Sequence, residues 1–320
     1  MVLSSSIFFI FKGDQGVRYG YGHVYRIIEI YKSLQNFKKF KFFFIINNNQ
    51  KLKIFLKKKV KNVFFINTKK KLNKINSNSI CIIDTFLKTE TDIKNFIFKN
   101  NFSKIISFDN IEKNDHTKIN PVAFLTKKLN HTNKIFQGLQ YFIIKKNIKN
   151  VINKKKNKIL ITTGGSDKYN LSYEIAKKVY KDYKLSVLIG PGYNKKNKIF
   201  KLKKIKFLKD LEDSSTLFMK NDYIITTGGF SMFEACAYNK PTFVIENYKH
   251  QKKAINYFTK KKYIYNLGTR DKFKKMSKEN MLSILSNKEI LKNLTKNKKI
   301  FNQKAIDNIR DIIITKVNEK

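Results

Sequence analysis

Residues Gly20 to Arg26 read Gly-Tyr-Gly-His-Val-Tyr-Arg, and this stretch decides how the rest of the chain is read. Before it runs Ile7-Phe8-Phe9-Ile10-Phe11, short, apolar and rich in aromatic and β-branched residues, which predicts a first buried strand. After it, Val24, Ile27, Ile28, Tyr31 and Leu34 recur at three- and four-residue spacing, which predicts an amphipathic helix. The motif therefore joins the carboxyl end of a strand to a helix, where open α/β sheets bind their ligands. Gly20 and Gly22 permit a tight turn and a close approach of backbone to ligand, and a helix N-terminus favours anions. The spacing presents His23 at the mouth of the loop, with Arg26 one helical turn behind it. A plainer alternative makes this a glycine-rich turn before an ordinary helix, with His23 as its cap. Matching glycine loops in the second half weigh against that alternative.

At 320 residues the chain accommodates two domains of about 150 residues each. The expected boundaries are an amino-terminal Rossmann-like domain over 1–148, a linker over 149–157 and a carboxy-terminal Rossmann-like domain with a helical tail over 158–320. The formal charge is +45, yet only four of the 68 basic residues are arginines: Arg18, Arg26, Arg270 and Arg310. Arginine is the residue suited to bidentate phosphate and guanine contacts, so the charge reads as compositional drift toward Lys, Asn, Ile and Phe rather than as specific nucleic-acid recognition. Against that drift the scarce residues carry information. Nine of the twelve glycines fall in four loops, at 16/20/22, 164/165, 190/192 and 228/229. Cys81 and Cys236 lie in apolar contexts without metal spacing and read as reduced, buried residues of a cytoplasmic protein. No apolar run approaches the length of a membrane span, and the first eleven residues lack a signal-peptide pattern.

Along the first half, Phe42–Ile46, Val63–Ile66, Ile80–Ile83, Ile105–Phe108 and Val122–Leu125 read as further strands, separated by Lys-rich helical stretches. Such alternation predicts a parallel sheet covered on both faces. Asp84 and Asp109 each follow a buried run directly, where a carboxylate serves either as a helix cap or as a site group. In the second half the alternation restarts at Ile159–Thr162. Two loops share the form Thr-Thr-Gly-Gly, at Thr162–Gly165 and Thr226–Gly229, and each follows a strand and opens a helix. Both can offer backbone N–H groups and a helix dipole to a diphosphate. Glu234 falls in the first turns of the second of these helices, positioned to accept from a ribose diol, or simply to sit favourably at a helix start.

The order Gly-x-Gly-His-x-x-Arg, Thr-Gly-Gly-Ser-Asp, Thr-Gly-Gly-x-Ser-x-x-Glu and Lys-Pro with a Gln on the next helix resembles the GT-B superfamily of nucleotide-sugar enzymes. Within it, the pattern is most similar to the UDP-2,4-diacetamido-2,4,6-trideoxy-β-L-altropyranose hydrolases of pseudaminic acid biosynthesis, which are related to spore-coat polysaccharide proteins and the peptidoglycan UDP-GlcNAc transferase. The resemblance covers about residues 5–268. It implies an α/β, GT-B-like fold of two Rossmann-like domains facing across a cleft. It also implies hydrolysis of a UDP-linked deoxy-diacetamido sugar, with no cofactor; the four histidines are scattered and no carboxylate pair sits at ligand spacing, so no metal is expected either. His23 then matches the catalytic base and Asp14 the acidic residue before the loop. The implied substrate contacts are Gly20, Gly22 and Arg26 in the first loop; Gly164, Gly165 and Ser166 in the next; Phe207 and Leu208 at the uracil; and Gly228, Gly229, Ser231, Glu234 and Gln251 at phosphate, ribose and sugar. Two positions depart from the family pattern: Phe108-Asp109 stands where Asp-Asp is usual, and Glu246–His250 does not align.

Two other functions fit parts of the sequence. A glycosyltransferase of the same fold would use His23 to activate an acceptor hydroxyl instead of water. A basic RNA- or polyanion-binding protein would concentrate its lysines on one face among exposed aromatics.

Overall fold

The structure is a computed structural model that describes residues 5–13, 22–67, 79–122, 125, 127–130, 132–144, 157–165, 167–190, 193, 196–209, 215–295, 301–302 and 304–319. Asp14, Gly20, Ser166 and most of the expected linker lie outside the described residues. The chain divides into two compact units.

The first unit contains β1 (Ser5–Phe11), α1 (Gly22–Leu34), β2 (Phe40–Ile46), α2 (Gln50–Lys57), β3 (Val63–Phe65), β4 (Ile80–Leu87), α3 (Thr91–Lys99), β5 (Lys104–Asn110), β6 (Thr117–Asn120) and β7 (Ile135–Gln137). The seven strands form one all-parallel sheet in the order β3-β2-β1-β4-β5-β6-β7. Alternate residues of β1 enter opposite cores. Ile7, Phe9 and Phe11 pack with α1 and α2, and Phe8 and Ile10 pack with the α3 face through Ile93 and Phe102. That two-sided burial explains why β1 is continuously apolar instead of alternating. Of the expected strand at Val122–Leu125, the described residues Val122 and Leu125 are not in a strand, and the sheet takes Thr117–Asn120. Those four residues are all buried although three are polar, because Asn120 exchanges side-chain hydrogen bonds with the Asn110 backbone of the neighbouring strand.

The second unit contains β8 (Lys158–Thr162), α4 (Leu171–Val179), β9 (Lys184–Ile189), β10 (Lys206–Lys209), α5 (Ser215–Lys220), β11 (Tyr223–Thr227), α6 (Phe230–Ala237), β12 (Thr242–Glu246), α7 (Lys252–Lys260), β13 (Tyr265–Thr269), α8 (Arg270–Lys275), α9 (Lys278–Ser286) and α10 (Lys288–Leu294). Its parallel sheet runs β10-β9-β8-β11-β12-β13. β13, read from Tyr-Asn-Leu-Gly-Thr, is too polar to stand out in the sequence.

The expected tail on the second domain needs correction. The last helix, α11 (Ala305–Asn318), belongs to the first unit, where Ile309, Ile313 and Val317 join the core beside α1. Its apolar stripe is satisfied by that core, so the first unit is assembled from both ends of the chain. Among the described residues no helix is long and apolar enough to cross a membrane.

Candidate active site

In the first sheet the strand order reverses between β1 and β4, and the crevice at such a switch point is where α/β sheets hold ligands. The residues at that point are polar and buried. Phe11 pairs with Asp84 of β4, and Asp84 pairs with Phe108 of β5, so the carboxyl ends of three strands bring Asp84 and Asp109 beside the start of α1. Gly13, just after β1, packs tightly on that helix: a Cβ there would lie 2.9 Å from Val24 Cγ2.

His23 and Arg26, one turn apart on α1, both reach Asp84. His23 Nδ1 lies 2.6 Å from Asp84 Oδ1. Arg26 holds the same carboxylate in a fork, Nε donating to Oδ2 at 2.7 Å and NH2 to Oδ1 at 2.6 Å. Its NH1 donates to Asp109 Oδ2 at 2.6 Å, and the Val122 backbone N–H donates to Asp109 Oδ1 at 2.8 Å. Asp109 adopts φ 48°, a left-handed conformation rare outside glycine but tolerated by Asp, at the end of its strand. The Arg26 guanidinium also lies 5.1 Å from the centre of the Phe108 ring.

Burial alone would push the Asp84 carboxyl up. The charges and hydrogen bonds of Arg26, and then of His23, outweigh it and hold Asp84 down at about 2. An ionised Asp84 only accepts hydrogen bonds, so His23 must donate from Nδ1. That fixes the tautomer and leaves Nε2 of the neutral ring as the nitrogen that takes or gives a proton. The His23 side chain keeps 11% exposure, whereas Asp84 and Asp109 have none and Arg26 has 4%. His23 is thus the partly exposed end of a buried charge network.

The structure places Arg26, expected at the substrate, inside this network: three of its five N–H groups donate to carboxylates, so it acts as the post that holds Asp84 and Asp109. Asp84 and Asp109 are the carboxylates that the sequence left undecided between cap and site, and the structure places both in the network.

In the second unit the order reverses between β8 and β11, and the two Thr-Thr-Gly-Gly loops leave those two strands. Thr162 Oγ1 and Ser231 Oγ lie 3.4 Å apart across them. The loops are not equivalent. After β8, Asp167 accepts from the backbone N–H groups of Leu171 at 2.7 Å and Ser172 at 3.0 Å, and from Asn197 Nδ2 at 3.1 Å. The N-terminus of α4 is therefore occupied by the chain's own carboxylate, which removes the expected helix-dipole role for this loop. After β11, Gly229 is the N-cap of α6 and supplies no side-chain cap, and a Cβ built on it would meet nothing within 4 Å. The open loop is the second one. Gly164 likewise faces open space, at φ 89°, while Gly190 packs on this loop so closely that a Cβ would lie 2.4 Å from the Gly165 carbonyl oxygen.

The remaining expected contacts are spread along the same edge. Glu234 lies on α6, half-buried. Phe207 and Leu208 lie half-buried on the edge strand β10, with Phe207 packed on Phe200 at 5.2 Å between ring centres. Gln251 is buried and spends its side-chain oxygen on the backbone N–H groups of Asn247 at 3.0 Å and Tyr248 at 3.2 Å. Expected at the sugar, it shapes the loop after β12 through that oxygen.

No protein-family model matches the chain. An uncharacterized protein of Methanocaldococcus jannaschii is 27% identical over 282 residues, which is 78% of this chain; the chain spans just over half, 57%, of that relative's length. Among solved structures, the UDP-bound MnaA of Staphylococcus aureus superposes with a TM-score of 0.64 at 14% identity, covering 98% of this chain and 97% of that one. The MurG of Acinetobacter baumannii gives 0.61 at 10% identity, with 97% and 99% covered. The UDP-GlcNAc 2-epimerase of Neisseria meningitidis bound to UDP-GlcNAc gives 0.59 at 11% identity, with 97% and 100% covered. The shared architecture is that of the GT-B enzymes, and this chain has it: two parallel-sheet α/β, Rossmann-like domains.

Proposed function

We propose that the protein hydrolyses a UDP-linked deoxy-diacetamido sugar to UDP and the free sugar, in pseudaminic-type nonulosonic acid or surface polysaccharide biosynthesis. The observation that carries this reading is the His23–Asp84 pair at the switch point of the first sheet, clamped by Arg26 and Asp109. His23 Nε2 takes a proton from water, and the resulting hydroxide oxygen forms a bond to the anomeric carbon. The bond from that carbon to the diphosphate oxygen breaks, and UDP leaves with the electron pair. The imidazolium formed on His23 is stabilised by the ionised Asp84 at 2.6 Å. In the second unit, the uncapped start of α6 at Gly229 supports the diphosphate with backbone N–H groups, and Glu234 accepts from the ribose. The UDP-sugar enzymes among the fold's neighbours agree with this nucleotide, and the motif order of the chain with this sugar.

The test is incubation of the protein with a panel of UDP- and CMP-sugars, following nucleotide and free sugar without any acceptor present. Release of UDP with stoichiometric free sugar from a diacetamido substrate is the expected result. Turnover only when an acceptor hydroxyl is added would assign a transferase instead, and a UDP-sugar product with an inverted carbon would assign an epimerase.

A further inference from the structure

Arginine is scarce in this chain, and its described instances are not alike. Arg26 is consumed by the buried carboxylates, and Arg310 pairs with Asp307 at 3.1 Å and Asp311 at 3.5 Å on its own helix. Arg270, the first residue of α8 directly after β13, has as its only ion-pair partner among the described residues its chain neighbour Asp271, 3.5 Å from Nε. Its guanidinium carbon instead lies 3.8 Å from the centre of the Tyr169 ring, from the loop after β8. Tyr169 in turn packs on Tyr248, from the loop after β12, with ring centres 6.2 Å apart. Three loops at the carboxyl edge of the second sheet thus converge on one stacked guanidinium.

We propose that Arg270, Tyr169 and Tyr248 form a subsite for an anionic group of the nucleotide-linked ligand, a reading that rests on the UDP-sugar assignment above. Stacking on Tyr169 strips water from one face of the guanidinium and holds its plane still, while the in-plane N–H groups at its edge stay available for a two-point contact with phosphate or carboxylate. The side chain keeps 25% exposure, which leaves that edge reachable. Burial, then the neighbouring Tyr169, raise the Tyr248 phenol against the pull of Arg270, so its hydroxyl stays protonated and acts as a further donor. The cluster also abuts the open glycine turn: the Tyr248 backbone N–H donates to Gln251 Oε1, and Gln251 Cβ lies 2.8 Å from where a Cβ on Gly228 would stand. A lysine at 270 would supply charge but neither the stacked plane nor the fork.

The same chemistry serves the diphosphate, which the proposed substrate carries, or a carboxylate on the sugar, which would replace the deoxy-diacetamido sugar by an acidic one, and calorimetry on the full chain separates them. The probes are inorganic pyrophosphate, UDP, UDP-glucose and UDP-glucuronate, against wild type, Arg270→Gln, Arg270→Lys and Tyr248→Phe. If the group is the diphosphate, Arg270→Gln lowers affinity for UDP and pyrophosphate by about 10- to 100-fold, the cost of one charge-assisted contact, and Arg270→Lys recovers only part of it. If it is a carboxylate, UDP and UDP-glucose are unchanged and UDP-glucuronate alone weakens by about tenfold or more. Affinities within twofold of wild type for all four probes would overturn the subsite, as would a parallel loss of melting temperature in both Arg270 variants and in Tyr248→Phe. A wild type that binds pyrophosphate through Arg270 but releases no free sugar from any UDP-sugar would leave the subsite standing and remove the hydrolase reading.

Discussion

Replacing Asp84 with Asn, alone and together with Arg26→Met, tests whether the buried network acts as one unit. Against the effect of its own burial, Arg26 and then His23 hold the native carboxyl well below its ordinary range. The ionised form therefore contributes stability to the native state. Because the native value lies below the unfolded one, that contribution is fully present above pH about 4 and is lost as the pH falls through about 2. Asp84→Asn keeps the shape and the His23 contact but takes from Arg26 one of its two carboxylate partners among the described residues, both at 0% side-chain exposure. Removing one member of a buried ion pair costs about 3–5 kcal/mol, because the other charge is left uncompensated.

For a unit of this size, 1 kcal/mol shifts melting by about 2–4 °C, so Asp84→Asn should lower it by about 6–20 °C. Arg26→Met should cost a comparable amount, since it strands two carboxylates. The double variant removes both charges that were waiting for each other and should melt higher than the sum of the single losses predicts, with a coupling of at least about 2 kcal/mol. Calorimetry on the four proteins, at pH 7 and again between pH 4 and 2, reads both quantities. The acid loss of stability should be smaller in Asp84→Asn than in wild type. Losses that simply add, or single variants melting within about 2 °C of wild type, would refute the network.

Four further outcomes follow from the two sites. His23→Asn should lower turnover by about 10²- to 10⁴-fold while UDP binding and melting stay as in wild type; joint loss of melting and turnover would make His23 structural. Glu234→Ala should raise KM with kcat little changed, as a ribose contact remote from the breaking bond contributes equally to ground and transition states, and a collapse of kcat at constant KM would count against that role. Gly229→Ala, at φ −100° and with open space around it, should keep its melting temperature and lose UDP affinity. Gly190→Ala should do the reverse and lose about 1–3 kcal/mol of stability, because its methyl would meet the Gly165 and Gly164 carbonyl oxygens at 2.4 and 2.6 Å.

Much of the fold was legible because two-sided burial makes parallel strands continuously apolar, as in Phe8-Phe9-Ile10, and because the glycines stand out against a lysine-rich background. What stayed hidden depends on contacts distant in sequence. β6 is a buried strand built from Thr-Lys-Ile-Asn, whose polarity is paid for by side-chain bonds to β5 that no local pattern encodes. The return of α11 to the first unit shows only in the core that Ile309, Ile313 and Val317 enter. The unequal Thr-Thr-Gly-Gly loops look alike until Asp167 is seen closing one of them from within.

The spacing of Gly-x-Gly-His-x-x-Arg has its own explanation in this geometry. Residues three apart on a helix project from neighbouring positions on one face, so His23 and Arg26 descend together on whatever lies at the end of β4. What lies there is a carboxylate 58 residues from Arg26 and 61 from His23, and both contact its Oδ1 at 2.6 Å. One oxygen thus serves two tasks: it accepts the Nδ1 proton that orients the imidazole, and it binds the arginine that keeps the carboxylate ionised. Neither partner suffices alone. Without Arg26, a fully buried Asp84 would be driven toward its neutral form, and the protonated carboxyl could then donate to Nδ1 and turn the His23 tautomer over. In the proposed reaction Arg26 acts without having to touch substrate: by holding Asp84 ionised it keeps the lone pair of His23 on Nε2.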